Sequence, residues 1–285
     1  MNSVVNKTIL NPLYRALNQR LSRALAKMHL GAYLEDSSDA LREVDGFVQT
    51  NLAPLYEHIS SKHLLKLPSE YGYRVACTVA AYSMYAFASN ISLVRPLGEK
   101  GRLKITQDLA DLELALEHLV TVTGGGETVM SNTSSPLGQI DGGKPYAELR
   151  AVRSMIFWHG FNDENSEKKT ASEIASELLS QDWIKDVRPS TALHFLFCLA
   201  PDLLSSPHHS KRISAQEYVD TLVRYDGSVE DGEANAWMTT MTCCDSYQQR
   251  ESLEGVASIP SGSGDRRVAS VLMILGPELL RQKRR

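Results

Sequence analysis

Apolar residues recur along this chain at intervals of three and four, the spacing that lines one face of an α-helix, and period-two alternation is almost absent. Leu10, Leu13, Tyr14, Leu17, Leu21 and Leu25 form one stripe that runs on to Met28. Asn11-Pro12 opens it with a residue pre-set for a first helical turn. A second stripe, Leu41, Val44, Val48, Leu52, Leu55 and Ile59, contains Gly46 and Pro54, which predict a weakened or kinked helix. From the cap candidate Ser69 to Val94 the pattern is apolar on most sides, as in a helix at the centre of a bundle.

Pro96, Gly98 and Gly101 break the pattern. It then resumes at Ile105, Leu109, Leu112, Leu116 and Leu119, a coiled-coil-like seam. Asp108, Asp111, Glu113 and Glu117 lie off that seam and read as a solvated acidic face. Residues 123–145, rich in glycine, serine and threonine, predict a loop long enough to be mobile. Short helical patterns follow at Tyr146 to Trp158 and Ala171 to Trp183, separated by a polar stretch. An apolar run from Ser190 stops at Pro201, and Ser214 with Glu217 makes a capping box. Helices are expected over Ala234 to Tyr247 and through Val268 to Leu275, the last broken or kinked at Gly276-Pro277. The expected fold is all-α, an antiparallel helical bundle or a stack of such bundles, divided as 1–122, a flexible loop at 123–145, and 146–285.

Composition supports a buried core: 285 residues, 42% apolar and 22% charged, are globular proportions. Thirty basic residues face 34 acidic ones, spread evenly between the two halves, which argues against a surface that tracks nucleic acid. The local exception is Arg281-Gln-Lys-Arg-Arg285, which could touch anionic lipid or an acidic partner but reads first as cations suited to the end of a terminal helix. Cys77, Cys198, Cys243 and Cys244 are too few and scattered for a disulfide framework, so a reducing compartment is expected, and no secretory signal is apparent. Val75 to Val94 has the length of a membrane span, but its serines, tyrosines and asparagine make it a buried helix.

Candidate chemistry changes little. His208-His209 are adjacent on an irregular segment, Cys243-Cys244 has no Cys-x-x-Cys partner, and His194 reads as a satisfied core histidine. Gly124-Gly125-Gly126 lacks the lysine and hydroxyl of a phosphate loop, and Gly262-Ser263-Gly264 is no nucleophile elbow. A catalytic reading is confined to Glu113 or Glu117 with His118. The chain is expected to be non-catalytic, with no cofactor and no metal.

One block is more specific. Ser92 to Leu116 contains an Arg-Pro-Leu-Gly-Glu-x-Gly junction followed by Asp-x-Ala-x-x-Glu-x-Ala. It resembles the carboxyl-terminal part of the fifth-subunit family of the conserved oligomeric Golgi complex. His194 to Pro207, with Leu-Phe-x-x-Ala-Pro-x-x-Leu-x-Ser-Pro, is similar to a second block of that family, and Leu13 to His29 and Tyr146 to Arg150 match more weakly, in the same order. The segments 123–145 and 159–187 look like insertions, and the similarity fades after about residue 225.

The resemblance implies the end of a longer rod of stacked helical bundles that lacks an amino-terminal part. It implies a peripheral subunit on the cytoplasmic face of Golgi membranes that helps tether vesicles in intra-Golgi retrograde transport. Its partners would be sister subunits and membrane-fusion proteins. An endosome-to-Golgi or exocyst-type tether is the alternative. Arg95, Pro96, Leu97, Gly98, Glu99 and Gly101 are expected to form a structural corner, with Arg95 meeting the last carbonyls of its own helix and the glycines permitting the reversal.

Overall fold

The computed structural model describes residues 2–33, 46–124, 135–158, 169–200, 204–229, 232–254 and 263–283, and among these every regular element is helical. A helical run begins at Asn2 and leads through α1 (Asn11–Leu25) to a 3-10 turn at Ala26–His29. Helices α2 (Phe47–Asn51), α3 (Ala53–Lys62), α4 (Ser69–Ile91) and α5 (Glu99–Thr123) follow, and then α6 (Lys144–Met155), α7 (Ala171–Leu179) and α8 (Pro189–Cys198). The chain continues through α9 (Ala215–Leu222), α10 (Gly232–Glu254) and α11 (Ser263–Lys283). The all-α expectation is met.

Helix α4 is the axis of the molecule: from Val79 to Ser92 every residue is buried. It packs against α1, α5, α6, α8 and α9. This explains its uniform apolar pattern, since a helix with neighbours on all sides has no face for water. None of the described helices is long and apolar enough to cross a membrane. The serines within α4 are satisfied locally: Ser83 and Ser89 donate to carbonyls one turn back, at 2.8 and 2.9 Å. One continuous apolar core joins α1 to α11.

Several boundaries differ from expectation for identifiable reasons. Leu41 and Val44 lie outside the described residues. The rest of the second stripe is split into α2 and α3, and Pro54 stands in the first turn of α3, where a missing N–H costs nothing. Ser69 opens α4 without capping it, because Pro68 holds the cap position. Helix α7 stops at Leu179, and the chain reaches Trp183 through a separate 3-10 turn at Asp182–Lys185. Helix α11 is not broken at Gly276-Pro277 but passes through Pro277, while Gly276 lies so close to the Trp237 ring that no side chain fits there. Within 123–145, Pro136–Gly143 forms 3-10 turns interrupted by a non-helical kink at Ile140, Asp141 and Gly142, and buries Leu137 and Ile140. The capping box expected at the head of α9 is formed: the Ser214 and Glu217 side chains each meet the other's backbone N–H, at 3.2 and 2.9 Å.

Candidate functional site

The corner after α4 is built by residues far apart in sequence. Leu93 and Val94 N–H groups close the end of α4 on Asn90 and Ile91 carbonyls, so Arg95 is not needed there. Instead its guanidinium reaches the segment that follows α8, donating to the Ala200 carbonyl at 3.0 Å, the Leu204 carbonyl at 2.5 Å and Ser206 Oγ at 3.0 Å. The expectation that Arg95 meets its own helix's carbonyls is corrected: the carbonyls it satisfies belong to the segment after α8. Cys198, at the end of α8, places Sγ 3.2 Å from the Ser92 carbonyl and 3.0 Å from that of Val94, and burial pushes its thiol up to about 12.

The Arg95–Pro96 peptide is cis, Pro96 and Glu99 are exposed, and Leu97 is buried. Gly98 takes the cap position of α5, and Glu99 is an acid in its first turn, which suits the helix dipole. Gly101 is not part of the reversal. It lies inside α5, where an added Cβ would fall 2.7 Å from the Tyr33 carbonyl, so its role is close approach to another stretch of backbone. Arg102, one residue on, donates to the Ile156 carbonyl.

Asp108 overturns the solvated-face reading at its own position. It is 1% exposed, accepting from Tyr33 OH and from the Val48 N–H, each at 2.9 Å. The carboxylate thereby caps the first turn of α2 from another helix, with Gly46 leaving the room it needs. Burial, with Asp111 adding to it, raises its pKa against the pull of these two bonds.

A groove of about 730 Å³ opens at this corner, lined by Met28, His29, Leu93, Arg95, Pro96 and His208 among others. His29 meets Asn90 Oδ1 at 2.9 Å, and the His208 ring lies 6.4 Å from that of His29 and 4.2 Å from that of His209. Burial first, and then His209, His29 and Arg95, lower His208 to about 4. Among the described residues no group of His, Cys, Asp and Glu is arranged to hold a metal ion. The groove offers mixed polar and apolar walls, and among its described lining residues no nucleophile is paired with a base.

A second buried cluster ties the core together. Arg188 Nε donates to Glu148 Oε2 at 2.7 Å, and Nη2 reaches the Tyr85 carbonyl at 3.0 Å and Ser89 Oγ at 2.8 Å. Thr191 Oγ1 donates to Glu148 at 2.6 Å, and Ser190 gives Glu233 its N–H and hydroxyl at 2.7 and 2.6 Å. Two carboxylates therefore serve the start of α8, where the dipole favours them. His194 sits in the same helix, fully buried, with Nε2 2.9 Å from Tyr218 OH, and burial lowers it to about 3.

The catalytic candidates do not converge. Glu113 pairs with Arg153 at 3.8 Å, Glu117 accepts from Ser135 Oγ at 2.5 Å, and His118 faces solvent.

The residues that meet at the corner fall within the two blocks singled out in the sequence, Ser92 to Leu116 and His194 to Pro207, and Met28 and His29 come from the weaker opening match. Comparison with characterised proteins returns the same family. The chain is similar to conserved oligomeric Golgi complex subunit 5. The Arabidopsis thaliana protein is 28% identical over 218 residues, 73% of this chain and 22% of its own length. The Mus musculus protein is 24% identical over 209 residues, 70% of this chain and 21% of its own. The chain thus spans about a fifth of the length of these relatives. No family model matches it, and no solved structure matches it significantly.

Sequence reasoning missed Glu148, Arg188, Glu233 and the role of Asp108. A usable signal existed for two of them: Arg188 stands directly before Pro189 and an uncharged apolar helix, and Glu148 is the acid on the otherwise apolar side of α6.

Proposed function

We propose that this chain acts as a non-catalytic part of a conserved oligomeric Golgi complex, tethering vesicles in intra-Golgi retrograde transport. The observation that carries the reading is the extended similarity to subunit 5 from two kingdoms, on an all-helical chain whose matched blocks meet at one corner. In this reading the helices belong to a rod of stacked bundles, and the corner of Arg95, Pro96, Leu97, Gly98 and Glu99 sets the angle between successive helices, with Gly101 letting α5 pack closely against the backbone at Tyr33. Partners are the other subunits and membrane-fusion proteins, with peripheral contact on the cytoplasmic face of Golgi membranes.

Affinity isolation of the tagged chain from cells tests this. Recovery of sister subunits of the Golgi complex, with staining at the Golgi, is the expected result. Recovery of no such subunit, or of exocyst or endosome-to-Golgi tether subunits in their place, overturns it.

A further inference from the structure

We propose that the outward face of the amino-terminal helical run, continued across the end of α3, docks on an anionic lipid surface. Residues 1–33 carry five cations, Lys7, Arg15, Arg20, Arg23 and Lys27, and no acid, in a chain of net charge −4. All five are exposed, on the side away from the buried stripe of Leu10, Tyr14, Leu17, Leu21 and Leu25. None forms an ion pair with a described residue.

The positive field extends beyond this run. His63 is held below its usual pKa by burial and then by His58, Arg20 and Lys66, which places Arg20 beside the exposed cations at the end of α3 and the turn after it. Exposed apolar side chains stand among these charges: Ile9 is 57% exposed, Leu30 83% and Leu65 56%. Cations interleaved with apolar tips along roughly 40 Å of helix are the arrangement of an interfacial surface, where apolar groups enter the headgroup layer and cations meet its charge.

A plane suits this face better than an acidic peptide does. The charges are spread along a convex helix. The groove beside them, lined by Lys7, Arg15 and Gln19, also holds Asp220 and Asp226, which would repel an acidic chain. The inference deepens the tethering reading by naming the side that faces lipid, but it stands on the charge pattern alone. Vesicles of pure lipid test it separately from the recovery of sister subunits.

The experiment is co-sedimentation of the full chain with phosphatidylcholine vesicles that contain or lack phosphatidylserine. Binding is expected only to the anionic vesicles, and high salt should abolish it. Each cation at such a surface is worth roughly a fivefold change in partitioning. The Arg15→Ala, Arg20→Ala, Arg23→Ala triple variant should therefore bind on the order of a hundredfold more weakly. Replacing Lys100, Lys104 and Lys144, three exposed cations elsewhere, should leave binding unchanged, and circular dichroism should report both variants folded. No binding to anionic vesicles, equal binding to neutral ones, or equal loss in both triple variants overturns the proposal. So does retention on an acidic peptide with none on lipid.

Discussion

Glu148 and Arg188 offer the sharpest test of how this core is held. Glu148 is 1% exposed and Arg188 6%, and they join α6 to the start of α8, with α4 contributing the Tyr85 carbonyl and Ser89. Glu148→Leu would strand a guanidinium whose Nη1 already has no hydrogen-bond partner. Breaking a buried pair from one side costs about 3–5 kcal/mol, whereas removing both partners together costs far less. Glu148→Leu and Arg188→Met should each lower stability by roughly that amount, and the double variant by less than their sum, a coupling of about 2 kcal/mol or more. Urea unfolding followed by far-ultraviolet circular dichroism measures all three. Additivity within about 0.5 kcal/mol would refute the reasoning, because it would mean the two groups act independently.

The same cycle has a pH arm. Burial raises the Glu233 pKa, and Arg188 and the Ser190 donors restrain that rise. In Arg188→Met the restraint from the cation is gone, so the folded-state pKa climbs further. A carboxyl raised in the folded state keeps a proton that the unfolded chain has already released, so stability falls as pH rises through that window. The deficit of Arg188→Met should therefore shrink as pH is lowered from neutrality toward about 5. A deficit that stays constant or grows on acidification would contradict this.

Further outcomes follow from the corner and from the core histidine. Arg95→Ala should cost about 2–4 kcal/mol, since two carbonyls and a hydroxyl lose a charged donor, and Arg95→Lys should recover less than half because an ammonium lacks the guanidinium fork. Thermal melts check both. Asp108→Ala should cost about 2–4 kcal/mol by orphaning Tyr33 OH and the Val48 N–H and uncapping α2, while Asp108→Asn keeps one acceptor and should cost less than half as much. His194 stays neutral to about pH 3 when folded, whereas the unfolded chain takes up the proton near 6.5, so stability is lost as pH falls below that value. The loss is up to about 1.4 kcal/mol per pH unit, and in His194→Gln the acid limb of a stability profile should be flatter.

Helix type and order were legible because periodicity reports burial directly: the seam of α5, Ile105, Leu109, Leu112, Leu116 and Leu119, is buried throughout. Polar residues were read less well. Asp108 looks like its neighbours Asp111 and Glu117 in one dimension, and only the return of Tyr33 and Val48 to its side of α5 makes it a cap. Arg95 is similar: its position at a helix end suggested a local partner, and its actual partners lie more than a hundred residues away. The near-even charge balance in the two halves concealed an opening stretch of 34 residues without a carboxylate.

These differences separate what the matched blocks record from what the surface records. Ser92, Val94 and Arg95 of one block bind Cys198, Ala200, Leu204 and Ser206 of the other, so the residues that carry the resemblance act mainly on one another. Substitution there removes bonds that hold the end of α4 to α8 and the segment after it, and its first readout is stability. Lys7, Arg15, Arg20, Arg23 and Lys27 contribute nothing to that joint and are exposed, so their replacement should leave unfolding curves within about 0.5 kcal/mol of the parent. An Arg95 variant that loses partners together with stability, and a basic-face variant that loses lipid at full stability, would place scaffold and contact surface on different residues of one chain.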